Sequence, residues 1–196
     1  MDGRQYWVYM ESCPEVMFLK ETRIKPPFPE GTQLAYFGLG CFWGGEEAFN
    51  LHPEIYSVCC GYSGGQVSNP TYKQVKTGTT GHTEVVQVAF DPRRISYWDL
   101  LKIFWEKHDP TQGNRQGMDV GSQYRSAIYY TSETQREEAL RSKELYQQAL
   151  AGKGDITTEI AAFDTFYWAE EYHQQYFMKG CEGECGVSGS GTPFPS

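Results

Sequence analysis

The residues best suited to chemistry form a glycine-rich segment around one cysteine, Gly38-Leu39-Gly40-Cys41-Phe42-Trp43-Gly44-Gly45. An apolar run precedes the segment and an acidic, helix-forming run follows it, so Cys41 is predicted to lie between a strand and a helix. Unpaired backbone N–H groups and the helix dipole favour a thiolate there, and the thiolate is the nucleophilic form of cysteine. Phe42 and Trp43 place apolar rings beside the sulfur. These rings suit a small apolar substrate group such as a methyl.

Two other interpretations fit this segment less well. Gly38 and Gly40 could open a dinucleotide-binding fingerprint, but its third glycine should stand at Trp43 and arrives only at Gly44. A tryptophan at that position would obstruct close packing of helix on strand, which excludes the fingerprint. The second interpretation is a buried structural cysteine, the commoner role of an isolated intracellular Cys. The flanking glycines and aromatic rings favour a nucleophile instead.

A carboxylate is the second candidate for chemistry. The run Thr83–Phe90 is predicted to form a strand, in which Glu84 shares one face with Val86, Val88 and Phe90. An apolar setting raises the pKa of a carboxyl group and keeps it protonated near neutral pH, so Glu84 is suited to act as an acid. The alternative is a Glu at the strand edge that points into solvent.

Two further constellations compete with this assignment. His82, His108 and His173 suggest a Cys–His thiol hydrolase, but no oxyanion-hole motif accompanies them, and His108 falls on the apolar stripe of a predicted helix. Cys181 and Cys185 with a histidine suggest a zinc site. That site lacks a second pair, because adjacent strand residues such as Cys59 and Cys60 point to opposite faces.

Bulk properties narrow the class of protein. The chain has 196 residues, enough for one domain with a substantial core. Its net charge of −8 argues against nucleic-acid and anionic-membrane partners. We find no apolar run near the roughly 20 residues of a membrane span. No signal-peptide pattern is present either, so we expect a cytoplasmic monomer, with a mitochondrial location not excluded. Six unevenly spaced cysteines do not fit a disulfide scaffold and suit redox chemistry.

The pattern of apolar residues predicts the elements that position these groups. A β-α-β-β-α-β order over residues 34–130 indicates a ferredoxin-like, split βαβ two-layer sandwich of the α+β class, with a mixed sheet and long loops. A helix over 132–150, a strand over 156–163 and a helix over 168–178 should follow. We expect an N-terminal arm over 1–30, a catalytic domain over 31–178 and a mobile glycine-rich tail over 179–196.

The segment Gly40-Cys41-Phe42-Trp43-Gly44 resembles the signature of methionine sulfoxide reductase A, the peptide-methionine (S)-S-oxide reductase family. The similarity extends over most of the chain, in the expected order. It includes Gly61-Tyr62-Ser63-Gly64-Gly65, Asn69-Pro70-Thr71-Tyr72, Gly81-His82-Thr83-Glu84, His108-Asp109-Pro110-Thr111-Gln112-Gly113, Gln123-Tyr124-Arg125-Ser126-Ala127-Ile128-Tyr129 and Glu171-Tyr172-His173-Gln174-Gln175-Tyr176.

The resemblance implies reduction of methionine-S-sulfoxide, free or in oxidised proteins. In that reaction Cys41 would attack the sulfoxide sulfur, Glu84 would protonate the oxygen, and Phe42 and Trp43 would hold the methyl group. The product on the enzyme is a sulfenic acid, which a second thiol converts to a disulfide. Thioredoxin or another dithiol would then be the external reductant, and no bound cofactor or metal is expected.

The resemblance also assigns three polar residues to the site, Tyr72, Asp119 and Tyr124. Their hydrogen bonds would hold the sulfoxide oxygen and nearby waters. From the sequence alone, each would be a residue of a surface turn or a packed tyrosine.

The tail resembles the segment of the family that carries resolving cysteines. Cys185 matches the first resolving position, whereas the later cysteine falls near Phe194 and is absent. Cys181 lies where relatives usually have none. It is either incidental or a second resolving thiol that relays the disulfide outward. We favour the relay, because two nearby thiols in a mobile tail exchange easily.

Overall fold

The computed structural model describes residues 22–195 and gives an α+β fold. The predicted arm is therefore described only from residue 22, and Cys13 lies outside the described residues. Within that range no helix is both long and apolar enough to cross a membrane. The strands are β1 (Gln33–Leu39), β2 (Ile55–Ser63), β3 (Thr83–Phe90), β4 (Arg115–Gln116), β5 (Asp119–Val120), β6 (Ser126–Tyr130), β7 (Glu159–Ala162) and β8 (Phe166–Trp168). The helices are α1 (Phe42–Asn50), α2 (Tyr72–Lys76), α3 (Tyr97–Lys107) and α4 (Glu133–Ala149), with short 3-10 turns at Ser122–Tyr124 and Glu171–His173.

A six-stranded sheet in the order β7-β6-β1-β3-β2-β8 forms the centre of the molecule. Strand β3 pairs antiparallel with both β1 and β2, and β6 pairs antiparallel with β1. The edge strand β7 runs parallel to β6. The prediction of a mixed sheet in an α+β fold is therefore confirmed. Strands β4 and β5 form a separate small hairpin.

Both faces of the central sheet are covered. Helices α1, α3 and α4 pack on one face, where Phe37, Phe49 and Phe104 lie in the larger apolar cluster. On the other face a smaller cluster contains Tyr36 and Cys59 and is covered in part by residues outside the sheet, such as Ile24. Every residue of β3 is buried as a result. Alternate side chains of β3 therefore point to two buried faces. In a sheet that is covered on one side only, they would alternate between a buried and a solvent-exposed face.

Two of the helices begin with a serine N-cap, as is common at helix N-termini. The Ser96 hydroxyl accepts from the Asp99 N–H, while the Asp99 carboxylate reaches back to the Ser96 N–H, which completes a capping box on α3. Ser132 caps α4 by accepting from the backbone N–H of Gln135. Such a cap stabilises a helix by about 1 kcal/mol.

The prediction of a helix over residues 168–178 is wrong. Strand β8 ends at Trp168, and only the 3-10 turn Glu171–His173 follows. The Gln174 amide instead accepts from the Cys60 N–H at 2.8 Å and donates to the Cys60 carbonyl at 2.9 Å, so it binds the edge of β2. Gln175 then adopts a left-handed φ of 53°, which a helix does not allow. Tertiary hydrogen bonds override the helical pattern here.

The far end of the tail is anchored to the helical layer. The Phe194 ring packs against Trp98 and Tyr146, and its backbone N–H donates to the Glu106 carboxylate at 2.7 Å. The Lys153 ammonium also donates to the Ser190 carbonyl at 3.0 Å. An aromatic anchor thus lies where the resemblance would place a second resolving cysteine.

Candidate active site

Cys41 lies at the junction predicted from the sequence, as the N-cap residue of α1 directly after β1. The turn depends on Gly40, which has a φ of +99° and whose β-carbon would lie 2.5 Å from that of Gln116. Only glycine fits both the dihedral angle and the space. Cys41 is only 6% exposed, so the structure holds its sulfur in a fixed, nearly buried position.

The Cys41 sulfur contacts the sulfur of Cys185, and both cysteines are free thiols. The hydrogen bond to Cys185 raises the pKa of Cys41, and burial and the Glu84 carboxylate raise it further. The same hydrogen bond lowers the pKa of Cys185. The two opposite shifts favour a proton on the Cys41 sulfur over one on the Cys185 sulfur. The docked tail thus works against the thiolate expected at Cys41, because the lowering effect of the Trp43 backbone N–H on the pKa of Cys41 is outweighed.

Glu84 lies on β3 beside the start of α1 and is 2% exposed. One carboxylate oxygen accepts a hydrogen bond from the Phe42 backbone N–H at 3.1 Å. Burial, and to a smaller extent Asp119, raises the pKa of Glu84 to about 8, against the lowering effect of the Phe42 N–H. The carboxyl is therefore protonated at neutral pH. This is the state that an acid needs in order to protonate a departing oxygen.

Aromatic rings form an apolar wall next to Cys41. The ring of Phe42 lies 6.4 Å from those of both Trp43 and Tyr72. The Trp43 indole is stacked on Tyr176, with ring centroids 3.9 Å apart. Phe42 is almost fully buried, whereas Trp43 is partly exposed. The rings predicted to hold a methyl group therefore lie together beside the sulfur.

Several polar groups lie near Glu84. Burial raises the pKa of Tyr72 to about 12, and the charges of Glu84 and Cys41 contribute. Burial raises the pKa of Tyr124 as well, with contributions from Glu84, Tyr72 and Asp119. Both phenols are thus hydrogen-bond donors at neutral pH. The Asp119 carboxylate accepts a hydrogen bond from the Gly186 N–H at 3.0 Å, which holds the tail at the site.

The structure brings together eight of the nine residues predicted for the site. The exception is Cys181, which is buried and disulfide-bonded and so is not a free thiol here. A relay through Cys181 would first require exchange of that bond. The eight that come together are Cys41, Phe42, Trp43, Tyr72, Glu84, Asp119, Tyr124 and Cys185.

Two residues that support the pocket were not assigned to it from the sequence. The His173 ring accepts a hydrogen bond at Nδ1 from the Trp43 indole N–H at 3.1 Å, and burial lowers the pKa of His173 to about 4. The Glu170 carboxylate accepts from the Tyr62 hydroxyl at 2.9 Å and the Tyr72 N–H at 2.8 Å. His173 could have been found from the sequence, because it lies in the last segment that resembles the family, Glu171–Tyr176.

The histidines do not support a Cys–His hydrolase. His82 bonds to Gly65 and Val67, and His108 bonds to Phe104 and Ser126, as expected for structural histidines. His173 holds Trp43. None of these hydrogen bonds joins His82, His108 or His173 to Cys41. Over the same range, no cluster of three or more His, Cys, Asp and Glu side chains is placed to hold a metal ion.

Comparisons with known proteins agree with this arrangement. A family model described as peptide methionine sulfoxide reductase matches residues 33–191. The chain is 55% identical to peptide methionine sulfoxide reductase MsrA 1 of Synechocystis sp. over 93% of this chain and 83% of the relative. It is 56% identical to the human mitochondrial peptide methionine sulfoxide reductase over 88% of this chain and 74% of the relative.

Solved structures give the same result for the fold. The reduced form of Mxr1 from Saccharomyces cerevisiae matches with a TM-score of 0.77 and 34% identity, over 84% of this chain and 94% of that one. Mxr1 in complex with Trx2 matches in fold with a TM-score of 0.59 and 24% identity, over 88% and 99% of the two chains. Given the family match over residues 33–191 and relatives with more than half of their aligned residues identical, the chain belongs to the peptide methionine sulfoxide reductase family.

Proposed function

We propose that Cys41 is the thiol with which this methionine sulfoxide reductase attacks its substrate, and that Glu84 is the acid of the reaction. The observation that carries the proposal is the buried Glu84 carboxyl, which has a pKa of about 8 and bonds the backbone beside Cys41. The substrate is methionine-S-sulfoxide, either free or in a protein.

The first step transfers one oxygen atom. With the tail withdrawn, the Cys41 thiol releases its proton to solvent, and the resulting thiolate attacks the sulfoxide sulfur while Glu84 protonates the oxygen. The sulfoxide S–O bond then breaks, and the oxygen ends on Cys41 as a sulfenic acid, with methionine released. Phe42 and Trp43 hold the methyl group, and the Tyr72 and Tyr124 hydroxyls donate to the oxygen. Asp119 binds waters nearby.

The second step forms a disulfide. The Cys185 thiolate attacks the sulfur of the Cys41 sulfenic acid, an S–S bond forms, and the hydroxyl group leaves as water after it takes up a proton. The contact between the two sulfurs and the lowered pKa of Cys185 support this role. The bond requires Cα atoms within about 7 Å of each other, which the docked tail makes possible.

A thioredoxin-type dithiol protein restores both thiols. It supplies two electrons and two protons, and it becomes a disulfide itself. The complex of Mxr1 with Trx2 supports this choice of reductant. The cytoplasmic location, the monomeric state and the absence of nucleic-acid or membrane partners stay predictions.

The central strands support the split βαβ description of the fold. Strand β3 lies between β1 and β2 and is antiparallel to both, so the two strands joined by α1 do not pair with each other. Strand β6, which follows α3, adds at the far side of β1. This order places the start of α1 directly beside β3, and therefore Cys41 beside Glu84.

Methionine formation from each sulfoxide epimer tests the proposal, with dithiothreitol as the reductant. We expect the wild-type enzyme to reduce the S epimer, and Cys41→Ser to lose this activity. Cys59→Ser is the matched control, because Cys59 packs on the opposite face of the sheet and should keep turnover. Substantial turnover by Cys41→Ser would refute the nucleophile assignment, and a wild-type enzyme inactive on the S epimer would refute the function.

Cys185→Ser tests the second step. We expect this variant to release one methionine per enzyme in a burst and then to stall with thioredoxin, because the sulfenic acid on Cys41 has no resolving thiol. Steady thioredoxin-driven turnover by Cys185→Ser would show that another group resolves the intermediate.

A further inference from the structure

The small hairpin of β4 and β5 carries the two most exposed large apolar side chains among the described residues. Met118, in the turn between the strands, is 88% exposed, and Val120, on β5, is 66% exposed. The two stand on either side of Asp119, and neighbouring side chains of an extended chain alternate in direction. Exposed apolar residues that stand singly are ordinary, whereas neighbouring ones beside a cleft indicate a binding surface. We call Met118 and Val120 the apolar pair.

The apolar pair lies at the mouth of the candidate active site. The carboxylate of Asp119, between its two members, accepts a hydrogen bond from the Gly186 N–H at 3.0 Å, next to Cys185 in the chain. The charge of Asp119 also acts on Glu84, the proposed acid. A β-carbon on Gly186 would lie only 3.1 Å from the backbone nitrogen of Met118. A polypeptide whose methionine sulfoxide enters the site would therefore pass close to the pair.

Hydrogen bonds hold the hairpin in a fixed place. The Gln116 side chain is 1% exposed; it accepts from the Asp109 N–H at 3.2 Å and donates to the Asp109 carbonyl at 2.9 Å. At the turn, the Gly117 N–H donates to the side chain of Gln112 at 2.8 Å. The backbone that carries the apolar pair is thus ordered before a ligand arrives, which lowers the entropic cost of binding.

The docked tail shows that a polypeptide backbone fits beside this hairpin. A β-carbon on Gly117 would lie 2.5 Å from the carbonyl oxygen of Gly186 in the tail. On the other side, a β-carbon on Gly44 of α1 would lie 3.0 Å from that of Val187. The tail thus runs through a passage between α1 and the hairpin, and the proposed mechanism empties this passage when substrate enters. The apolar pair stays exposed while the tail is docked, so the tail is not the chain that covers it.

The chemistry of the pair distinguishes between substrates. Apolar side chains gain free energy when they leave water, roughly in proportion to the area that is buried. Methionine is also flexible and adapts to apolar partners of different shape, which suits contact with segments of varied sequence. Free methionine sulfoxide has no neighbouring side chain to place on such a surface. A polypeptide with apolar residues next to the sulfoxide has one on each side.

We propose that Met118 and Val120 bind the apolar side chains that neighbour methionine-S-sulfoxide in a polypeptide. The preferred substrate is then an oxidised methionine within an exposed apolar segment of a protein, rather than the free amino acid. The proposal rests on the proposed function and names the class of its substrate. It adds a surface outside the reacting groups, so the two can be tested separately.

The double substitution Met118→Ser with Val120→Ser tests the surface, with dithiothreitol as the reductant. Two blocked pentapeptides are compared, with leucine or with serine on both sides of a central methionine-S-sulfoxide, beside free methionine-S-sulfoxide. We expect wild-type kcat/KM to be about tenfold higher for the leucine peptide, which requires only part of the transfer free energy of two leucine side chains. The double variant should lose this ratio, and its kcat/KM for free methionine-S-sulfoxide should stay within about twofold of wild type.

Leu140→Ser is the matched control, since Leu140 is 39% exposed on α4, outside the hairpin, and this variant should keep the tenfold ratio. Equal kcat/KM for the two peptides in wild type, an undiminished ratio in the double variant, or a lost ratio in Leu140→Ser would overturn the proposal. Failure of the proposed function gives a different result, since wild type would then form no methionine from any of the three substrates.

Sedimentation of the wild type and the double variant tests the other occupant that an apolar surface could have, a second copy of this chain. We expect the two proteins to sediment alike at every concentration. A wild-type dimer that the double variant does not form would assign the apolar pair to self-association and overturn the proposal.

Discussion

The two cysteines that we propose as the reacting thiols are held in opposite ways. Cys41 stands at the junction of β1 and α1 and is fixed by the core of the domain. Cys185 stands in an irregular segment, held by the Asp119–Gly186 hydrogen bond and by close approach to Gly44. The nucleophile needs a constant position relative to the acid. In the proposed mechanism, Cys185 has to leave so that substrate can enter, and it has to return afterwards.

The same difference controls the charge state of the site. While the tail is docked, contact with Cys185 is the largest cause of the raised pKa of Cys41. Departure of the tail removes that cause, and burial and Glu84 remain. The docked tail therefore raises the pKa of the proposed nucleophile, in addition to its proposed role in resolving the intermediate. Cys41 and Glu84 thus form the fixed half of the site, and Cys185 with the tail around it forms the docked half.

The largest effect is expected at the fixed half, in Glu84→Gln. Loss of a general acid should slow methionine release in a single turnover by about 10²–10⁴-fold, with little change in substrate binding. In the wild type the acid form is present below the Glu84 pKa of about 8, so this rate should fall as the pH rises through 8. The control is the pH profile of Glu84→Gln, which should lack this fall. A rate close to that of wild type would exclude the role.

The docked half is tested by Gly44→Ala. A β-carbon at Gly44 would lie 2.5 Å from the Cys185 sulfur, so we expect disulfide formation to slow by about 10²-fold. Methionine release in the first turnover should persist, because Cys41 and Glu84 are not displaced. Gly45→Ala is the matched control on the same helix, since its β-carbon would meet Leu39 and Val86 at 3.3 Å rather than the tail. Disulfide formation at the wild-type rate in Gly44→Ala would contradict the docked geometry.

A smaller effect is expected from His173, which positions Trp43. His173→Phe removes the acceptor of the indole N–H, and we expect KM for the sulfoxide to rise about tenfold with kcat nearly unchanged. His173→Asn keeps an acceptor near the Nδ1 position and should restore most of the affinity. Equal KM values in the Phe and Asn variants would assign His173 to packing alone.

The smallest effect, on the pH dependence of stability, is expected at Glu46. Like Glu84 on β3, Glu46 on α1 has a buried carboxyl group. Burial raises the pKa of Glu46 from 4.5 to about 8, as it does for Glu84. Between these two pH values the unfolded chain loses a proton that the folded chain keeps, so stability falls as the pH rises and levels off above 8. We expect Glu46→Gln to weaken this fall in a series of thermal melts and to leave the pH profile of methionine release unchanged. A changed rate profile would bring Glu46 into the chemistry.

The fixed half of the site was largely predictable from the sequence. Cys41 lies at a strand–helix junction and Glu84 on a strand, and the pattern of apolar residues in the sequence predicted both positions. The prediction of a helix over residues 168–178 failed because side-chain hydrogen bonds to groups distant in sequence determine the backbone conformation there. The bonds between the Gln174 amide and the Cys60 backbone are an example. The anchor at Phe194 was missed for a similar reason, since its partners on α3 and α4 are remote in sequence.

Peptide mapping by mass after a single turnover tests the central claim most directly. The enzyme with Cys41 and Cys185 as free thiols is treated with methionine-S-sulfoxide in the absence of reductant, and its disulfides are compared before and after. We predict one new disulfide, between the peptides that contain Cys41 and Cys185, together with one methionine released per enzyme. Methionine release with Cys41 still a free thiol, or with the new disulfide between other cysteines, would contradict the account.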